Sequence, residues 1–385
     1  MDSLLLPVSM MCLLILLLIV LLKKLKQPYM VAYIIAGVLL GPYAGHLYNN
    51  ADDTASVGEL GVLLLMFFLG MEMEIPNNKS LLLKPFIAQA VKMFLSVLFA
   101  ICLGHFFHWG GFSIFLIAIL FIFNSTAVVS EYLSKNGELG TVFGQSLLNI
   151  LLLQDILLAP VLTLFQTLGR SDLSFLKLLS ACGFCVLIFS LLRATRNERS
   201  LKFINLKGMQ SDHELQVFTG CLLCLGFALL AERSGLSASI GSFAAGMLIG
   251  RIPDLRWLEN ILKPFRVFFV ALFFVSIGLR LDLNFIEGNF AMISSGVLLV
   301  LFSNSLLSAL TFKALKFNWR QSLYGGALLS QTGEFGIVAF MLAYQVGLID
   351  NNLFKTGISI TALTLLFSTT WITILKKVFK VTIFC

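Results

Sequence analysis

Charged residues are scarce in this sequence. Asp, Glu, Lys and Arg together make up 12% of its 385 residues, whereas 58% are hydrophobic. About a quarter of a typical soluble globular chain is charged. The longest polar connector is RNERSLKFINLKGMQSDH at 196–213, so we expect no sizeable soluble domain. Apolar runs of about 18 residues or more recur along the chain, which indicates a polytopic α-helical membrane protein.

Other signals are missing too. The sequence has no phosphate-binding glycine loop, which argues against an ATP-driven pump. Its 7 cysteines include the pairs CGFC at 182–185 and CLLC at 221–224, but neither has a second pair or a histidine cluster nearby. We interpret both pairs as helix-packing residues rather than zinc ligands. Basic cytoplasmic loops explain the net charge of +7 better than nucleic-acid binding does.

The apolar runs and the basic loops together predict the topology. We expect thirteen transmembrane helices in an all-α polytopic membrane protein. Lys and Arg concentrate in the loops after odd-numbered helices, and positively charged loops remain in the cytoplasm. The N-terminus is therefore expected on the extracytoplasmic side and the C-terminus in the cytoplasm. The sequence does not identify which membrane the protein occupies.

An odd number of helices allows two inverted repeats joined by one helix. We expect residues 1–195 to form the first six-helix repeat plus the linker helix, 196–213 a cytoplasmic connector, and 214–385 the second repeat, without a soluble regulatory domain. Polar interruptions occur at corresponding positions of the two halves, in FNSTAVVSE at 123–131 and SQTGEFG at 330–336. Paired interruptions of this kind indicate a binding site near the membrane midplane.

The stretch NILLLQDILLAP at 149–160 places a carboxylate, Asp155, inside an apolar run. A carboxylate at the centre of a membrane helix costs about 2.5–3.5 kcal/mol on insertion scales, so it rarely serves packing. Desolvation favours the protonated acid and a bound cation favours the carboxylate, so Asp155 holds either a proton or a cation. Gln154 adds a neutral amide that can ligate or orient without adding charge. We predict that Asp155 and Gln154 hold a potassium or sodium ion.

Oxygen atoms near the interrupted helices complete the predicted site. Unwound backbone exposes carbonyls that can coordinate a cation, and half-helix ends add partial charges. Interhelical hydrogen bonding is an alternative role for some of these residues, because small polar side chains commonly join membrane helices. Besides Asp155 and Gln154, the predicted ion- or proton-binding residues are Asn149, Ser125, Thr126 and Thr332. The predicted supporting or gating residues are Asn124, Gln331, Glu334, Arg266 and Glu131.

Seven segments, taken in order, resemble one known family. They are QPYMVAYIIAGVLLGPY (27–43), LLLMFFLGMEME (63–74), NSTAVVSEYL (124–133), NILLLQDILLAP (149–160), GLSASIGSFAAGMLIG (235–250), PFRVFFVALFFVSIGLRLD (264–282) and LLSQTGEFGIVAF (328–340). The sequence resembles the monovalent cation:proton antiporter-2 family, and within it the Kef-type potassium/proton antiporters. The resemblance implies a thirteen-helix cation/proton antiporter fold, with two inverted six-helix repeats and crossed discontinuous helices. It also implies a core domain that moves against a dimerisation domain in a homodimer.

Gln154-Asp155 stands where the family carries an Asp-Asp, Asn-Asp or Gln-Asp pair, and the Gln-Asp form is associated with potassium. Two departures matter. Many members have Lys or Arg in the helix before the second interrupted one, but here Asn304 occupies that depth and Lys313 lies about two turns further on. We therefore expect no lysine at the membrane centre, and one-for-one electroneutral exchange at a single carboxylate. Kef-type proteins also continue into a nucleotide-binding domain, so an accessory subunit is left open as the source of regulation.

The leading function is therefore potassium/proton antiport by alternating access, with no enzymatic activity and no bound cofactor. A sodium/proton antiporter of the same fold is the alternative. A channel is less favoured because no repeated carbonyl filter is visible. An intramembrane aspartyl protease is less favoured because it needs two carboxylates sharing one site. The expected partners are a second copy of the chain and the lipid bilayer, and no nucleic acid.

Overall fold

A computed structural model describes most of the chain. The described residues are 2–24, 27, 29–45, 60–61, 63–64, 66–68, 70–71, 79–138, 140–151, 153–154, 157, 183–184, 186–188, 190–191, 212–234, 236, 238–252 and 255–379. All regular secondary structure in this part of the chain is helical. The expected all-α class is therefore confirmed for the described residues.

The helices are numbered here in chain order. Their bounds are α1 Asp2–Lys24, α2 Tyr29–Leu40, α3 Lys79–Phe106, α4 Gly111–Ile122, α5 Thr126–Lys135, α6 Val142–Leu151, α7 His213–Arg233, α8 Ala238–Gly250, α9 Arg256–Arg280, α10 Leu283–Gly288, α11 Phe290–Ala314, α12 Trp319–Leu328, α13 Glu334–Gln345 and α14 Asn351–Val378. Further helical residues lie between 60 and 71 and between 183 and 191.

Polar residues define where several helices begin. Asp212, Asn318 and Asp350 each precede a helix and accept a hydrogen bond from a backbone N–H two or three residues further on. Such N-caps satisfy donors that have no partner inside the helix, and each typically contributes about 1 kcal/mol. These caps fix the starts of α7, α12 and α14.

Length and hydropathy identify membrane-crossing helices. Within the described residues, four helical segments are long and apolar enough to cross a membrane: Pro85–Phe106, Glu214–Arg233, Phe290–Ala314 and Asn351–Val378. Several described apolar helices are shorter, including α4 and α13 on either side of the interruptions. The count of thirteen spans stays a prediction, because parts of the predicted spans lie outside the described residues.

The described helices pack in two groups. In the first group α2 packs closely against both α1 and α9, and α7 packs against α8 and α9. In the second group α11 packs against α3, α4, α12 and α14, and α13 packs against α14. The buried faces of α5 and α6 share an apolar cluster with α12, which adds them to the second group. The groups meet where α2 approaches α14, over an apolar core that includes Phe123 and Phe273.

Close contact between α2 and α9 depends on glycine. A Cβ atom at Gly37 would lie 2.2 Å from the carbonyl oxygen of Val275 and 2.8 Å from the Cα of Gly278. A Cβ atom at Gly278 would lie 2.2 Å from the carbonyl oxygen of Ile34. Small residues let membrane helices approach at backbone distance, so this pair forms a tightly joined unit.

The predicted helix interruptions are both present in the second group. α4 ends at Ile122 and α5 begins at Thr126, with residues 123–125 outside either helix. α12 ends at Leu328 and α13 begins at Glu334, with residues 329–333 between them. We call residues 123–125 the first break and residues 329–333 the second break.

Candidate functional site

The two breaks touch each other, and a glycine makes this contact possible. The backbone N–H of Gly333 donates to the carbonyl oxygen of Phe123 at 3.0 Å. A Cβ atom at Gly333 would lie 2.7 Å from the carbonyl carbon of Asn124 and 2.8 Å from its oxygen. Backbone cannot move aside as a flexible side chain can, so only glycine fits here. We call the region where the breaks meet the crossing.

Asn124 is the centre of a hydrogen-bond network at the crossing. Its side chain is fully buried, and its Nδ2 donates to the carbonyl oxygens of Leu329 at 2.9 Å and Gln331 at 2.6 Å. Its backbone N–H donates to Oε1 of Gln154 at 2.8 Å. One residue of the first break therefore binds both the second break and Gln154.

Gln154 connects the crossing to α3. Its side chain is fully buried, and its Nε2 lies 3.1 Å from Oε1 of Gln89 and 3.4 Å from Oδ1 of Asn124. Gln154 and Asn124, both predicted near the ion site, therefore lie in one polar cluster, and ion binding there stays a prediction. Asp155 follows Gln154 directly in sequence but lies outside the described residues, so its role stays a prediction.

Lys92 is a member of this cluster that sequence reasoning missed. The expectation that no lysine lies at the membrane centre is wrong, because the Lys92 side chain is fully buried within the apolar segment Pro85–Phe106 of α3. Its ammonium group donates to Oδ1 of Asn124. A buried charge is costly unless it is paired or hydrogen-bonded, so this placement calls for an explanation.

A repeated spacing was the signal that could have revealed Lys92. Gln89, Lys92 and Ser96 are separated by three and four residues, which places them on one face of α3, and all three are buried. Asn304, Ser308 and Thr311 form a similar buried polar face on α11, without a charge. The two faces belong to the helices that precede the two interrupted ones.

The second break has its own threonine contact. Oγ1 of Thr332 lies 2.7 Å from Oγ1 of Thr364 on α14, and the Thr364 hydroxyl lies 2.8 Å from the carbonyl oxygen of Thr361. All three threonines are fully buried. The Thr332 hydroxyl is thus held by α14, while the backbone on either side of it contacts Asn124.

The remaining predicted oxygen ligands are Ser125, Thr126 and Asn149, which lie at the first break or on the helices beside it. Ser125 is buried, and its Oγ accepts a hydrogen bond from the backbone N–H of Val128 at 3.3 Å, which caps the first turn of α5. Thr126 begins α5 and is partly buried. Asn149 is partly buried on α6. Ion binding by these three residues stays a prediction.

The three charged supporting residues lie on three different helices. Arg266 is partly buried on α9, in the first group of helices rather than at the crossing. Glu131 lies on α5, and Glu334 is the first residue of α13. The side chains of both glutamates lie outside the described part of the structure, so a pair between Arg266 and Glu131 stays a prediction.

A buried carboxylate away from the crossing shows how this protein accommodates charge elsewhere. The Glu138 side chain is 4% exposed, and Nζ of Lys376 lies 3.7 Å from its Oε1. The hydroxyl of Tyr324 donates to the same carboxylate, at 2.9 and 3.0 Å from its two oxygens. This carboxylate therefore has both an opposite charge and a hydroxyl donor beside it.

An ion pair links the two groups of helices. Nζ of Lys355 on α14 lies 2.6 Å from Oδ2 of Asp282, which follows α9. Burial raises the pKa of Asp282, but hydrogen bonds from Lys355, from the backbone N–H of Phe285 and from Tyr43 together leave this pKa below its usual value. The pair lies between the end of α9 and the start of α14.

Comparison with known proteins identifies relatives that match most of this chain. It is 28% identical over 362 residues to the iron transporter MagA of Paramagnetospirillum magneticum, which covers 93% of this chain and 82% of MagA. It is 29% identical over 351 residues to K(+) efflux antiporter 5 of Arabidopsis thaliana, covering 89% of this chain and 61% of the relative. It is 28% identical over 333 residues to the glutathione-regulated potassium-efflux system protein KefC of Shigella sonnei, covering 83% of this chain and 52% of KefC.

The fold is also known from a solved structure. The sodium proton antiporter MjNhaP1 of Methanocaldococcus jannaschii superposes with a TM-score of 0.68 at 16% identity, covering 98% of this chain and 97% of MjNhaP1. The two proteins therefore share a fold. The family model described as "Sodium/hydrogen exchanger, transmembrane" matches residues 11–378. This chain belongs to the transmembrane sodium/hydrogen exchanger family, as its resemblance to the Kef-type antiporters predicted.

Proposed function

We propose that this protein is a secondary antiporter that exchanges a monovalent cation, with potassium favoured, for protons across a membrane. The observation that carries the proposal is the buried network around Asn124, which joins two broken helices, Gln154 and α3 within an apolar bundle. Polar backbone at membrane depth is tolerated where protein or a water-filled cavity satisfies it, and this is the setting of ion sites in secondary transporters.

The proposed chemistry uses the oxygens at the crossing and one neighbouring carboxylate. The carbonyl oxygens of Leu329 and Gln331 accept hydrogen bonds from Nδ2 of Asn124, and the amide oxygen of Asn124 accepts one from Lys92. The first two belong to backbone at a helix C-terminal end or just beyond it, where partial negative charge favours a cation. Asp155, one residue beyond Gln154, supplies the negative charge that either a proton or the cation neutralises.

Alternating access follows from the two groups of helices. The proton-loaded and cation-loaded sites carry the same net charge, so each can cross as one half of a one-for-one exchange, whereas the empty carboxylate differs from both by one charge. The second group carries the crossing, and we propose that it moves as a core domain against the first group. The tight pair of α2 and α9 then belongs to the stationary domain, through which we propose that two copies of the chain form a homodimer.

The inverted repeat is part of this proposal. In the first group α2 meets α9 through Gly37 and Gly278, and the helical residues near 70 meet α8 through Gly70 and Gly246. Under the proposed repeat, the second helix of the first half corresponds to α8 and the third helix corresponds to α9. The contact of the second helix with α9 is then equivalent to the contact of the third helix with α8. Glycine-to-backbone contact in both pairs supports the assignment.

Potassium is favoured over sodium on chemical grounds. Gln154 replaces a second carboxylate with a neutral amide, so the site compensates less for the loss of a cation's hydration shell. Potassium is the less strongly hydrated of the two ions. Two of the relatives are named as potassium-efflux proteins, which supports this choice, whereas MjNhaP1 is named as a sodium proton antiporter. Sodium/proton exchange is therefore the second candidate.

The experiment uses purified protein in liposomes that contain a pH-sensitive dye and carry an imposed proton gradient. Addition of potassium, and separately of sodium, is expected to move protons, with the stronger response to potassium. Asp155→Asn is expected to abolish the response. Asp350→Asn makes the same chemical change at an exposed helix cap and should leave exchange intact, because Asn also caps helices well. Folded wild-type protein that exchanges neither ion would contradict the proposal.

A further inference from the structure

The charge of Lys92 is the feature of the crossing that the proposed exchange does not use. Glu138, a buried charge elsewhere, has Lys376 and Tyr324 beside it. Among the described residues, the hydrogen-bond partner of the Lys92 ammonium is instead the neutral side chain of Asn124. Burying an ammonium group is expensive even when a neutral partner accepts its hydrogen bond, so packing is a poor explanation for a lysine at this position.

The position of the ammonium coincides with the region that a transported cation would seek. α4 ends one residue before Phe123, and α12 ends one residue before Leu329, so Asn124 contacts the C-terminal ends of both half-helices. Helix C-termini carry partial negative charge and stabilise cations. Lys92 donates to the same Asn124 whose backbone binds Gln154. A cation bound beside Gln154 therefore lies near a positive charge that belongs to the protein.

We propose that Lys92 is a specificity-determining residue, a fixed cation that weakens binding of monovalent ions moderately and excludes divalent ions. The proposal rests on the proposed ion site at the crossing and deepens it. Lys92 acts here through the charge that the bound ion meets, so its replacement is expected to change the affinity of the site and not the one-for-one stoichiometry. The energy of Coulomb repulsion is proportional to the charge of the ion, so it is twice as large for a divalent ion as for potassium. The factor by which Lys92 weakens binding of potassium is therefore squared for a divalent ion.

This relation gives a quantitative test in proteoliposomes. The KM for potassium and the inhibition constant of Mn2+ are measured for wild type and for Lys92→Gln, which removes the charge but keeps a polar side chain. The KM for potassium is expected to fall on the order of tenfold, and the inhibition constant of Mn2+ on the order of a hundredfold. Lys92→Met is the second neutral variant, because apolar replacement of a buried charge is often well tolerated.

Two control variants separate charge from other effects. Lys92→Arg keeps the charge, so both constants should stay within about threefold of wild type, a small shift on the scale of a full Coulomb effect. Lys313→Gln removes a lysine from the end of α11, where Nζ contacts the carbonyl oxygen of Phe317 at 3.3 Å and the Trp319 ring. This lysine lies outside the crossing, and its loss should change neither constant.

A second readout does not depend on transport. The thermal unfolding midpoint of the purified protein is followed as potassium or Mn2+ is added. Between wild type and Lys92→Gln, the factor by which the half-maximal Mn2+ concentration changes should be the square of the factor for potassium. If wild type exchanges no ion, the proposed function fails while these midpoints still decide the role of Lys92. Equal shifts for the two ions, or a lower kcat with unchanged constants and midpoints, would overturn the proposal, since a purely structural lysine gives that pattern.

Discussion

The helices α3 and α11 flank the crossing from the two halves of the chain, yet they contribute different chemistry. On α3 the charged Lys92 donates to Asn124 at the crossing. On α11 the neutral Asn304 donates to the carbonyl oxygen of Leu120 at 3.3 Å, and its Oδ1 has no hydrogen-bond partner among the described residues. Similar placement therefore does not mean similar function. The half that carries the charge is also the half whose asparagine organises the crossing.

The largest expected effect comes from disrupting the backbone contact between the two breaks at the crossing. Gly333→Ala would place a Cβ atom 2.7 Å from the carbonyl carbon of Asn124. Because backbone must shift to relieve this overlap, we expect a loss of about 3 kcal/mol or more of stability and loss of exchange. Thermal unfolding in detergent and the liposome assay measure both.

Gly336→Ala is the matched control, three residues further along the same segment. The nearest atom to its added Cβ would be Cδ2 of Leu120 at 3.2 Å, which is the end of a flexible side chain. Alanine in a helix gains up to about 1 kcal/mol over glycine, so this variant should be close to wild type in stability and exchange. Similar losses in both variants would mean that the crossing contact is not the cause.

The next effect compares the two asparagines directly. Asn124→Leu leaves Lys92 and the carbonyl groups of Leu329 and Gln331 without their partner, because all three bond to the Asn124 side chain. Each buried polar group left unsatisfied costs about 1–3 kcal/mol, so we expect severe destabilisation and no exchange.

Asn304→Leu should be much milder. It removes one long hydrogen bond and one oxygen that lacks a partner within the described structure. Because only the carbonyl oxygen of Leu120 loses a partner, we expect a stability loss of about 1 kcal/mol and retained exchange. The same unfolding and transport assays apply, and equal sensitivity at the two positions would break the distinction between α3 and α11.

A smaller effect is expected at the ion pair that joins the two groups of helices. Asp282→Asn should cost no more than about 1 kcal/mol, because partly exposed pairs contribute little. The folded-state pKa of Asp282 is lowered by its partners. Its contribution to stability is therefore complete above the usual pKa of an aspartate and is lost as the pH falls through the lowered value.

The measurement is thermal unfolding of wild type and Asp282→Asn across acidic pH. The difference between the two midpoints should shrink as the pH falls, and a difference that grows would contradict the sign. The KM for potassium at neutral pH should be the same in both proteins. This comparison separates the Asp282 charge, which we expect to affect stability, from the Lys92 charge, which we expect to affect the KM for potassium.

The smallest effects are expected for two serines on the flanking helices. Ser96 of α3 and Ser308 of α11 are buried, and within the described residues neither hydroxyl has a hydrogen-bond partner. Ser96→Ala and Ser308→Ala each remove an unsatisfied group, so stability should stay the same or rise by a few tenths of a kcal/mol. A clear loss in both would reveal a contact, such as a water molecule, that both faces share.

Much of the fold could be predicted from the sequence, because bilayer physics leaves strong patterns. Long apolar runs revealed membrane helices, and the polar letters in FNSTAVVSE and SQTGEFG located both breaks. Asn124 and Gln154 were expected near the ion site, and they do contact each other. Polar groups inside a membrane are costly, so their positions in the sequence already carry functional information.

The error over Lys92 shows what such reading leaves out. A lysine within an apolar run can extend to the membrane surface or turn inwards, and one-dimensional sequence does not separate these outcomes. In this protein the Lys92 ammonium turns inwards and donates to the Asn124 side chain, which is 32 residues away in sequence. The pairing of Thr332 with Thr364 depended on tertiary contact in the same way. Only the regular spacing of Gln89, Lys92 and Ser96 hinted at an inward face.

The most direct test of one-for-one exchange at the crossing is the balance point of transport. Proteoliposomes are given a fixed potassium gradient, and the proton gradient at which net proton movement stops is measured with the membrane voltage clamped at two values. The proposed mechanism predicts that movement stops when the two gradients are equal, at either voltage. A balance point that shifts with voltage would mean that more than one proton moves per cation, and it would contradict electroneutral exchange.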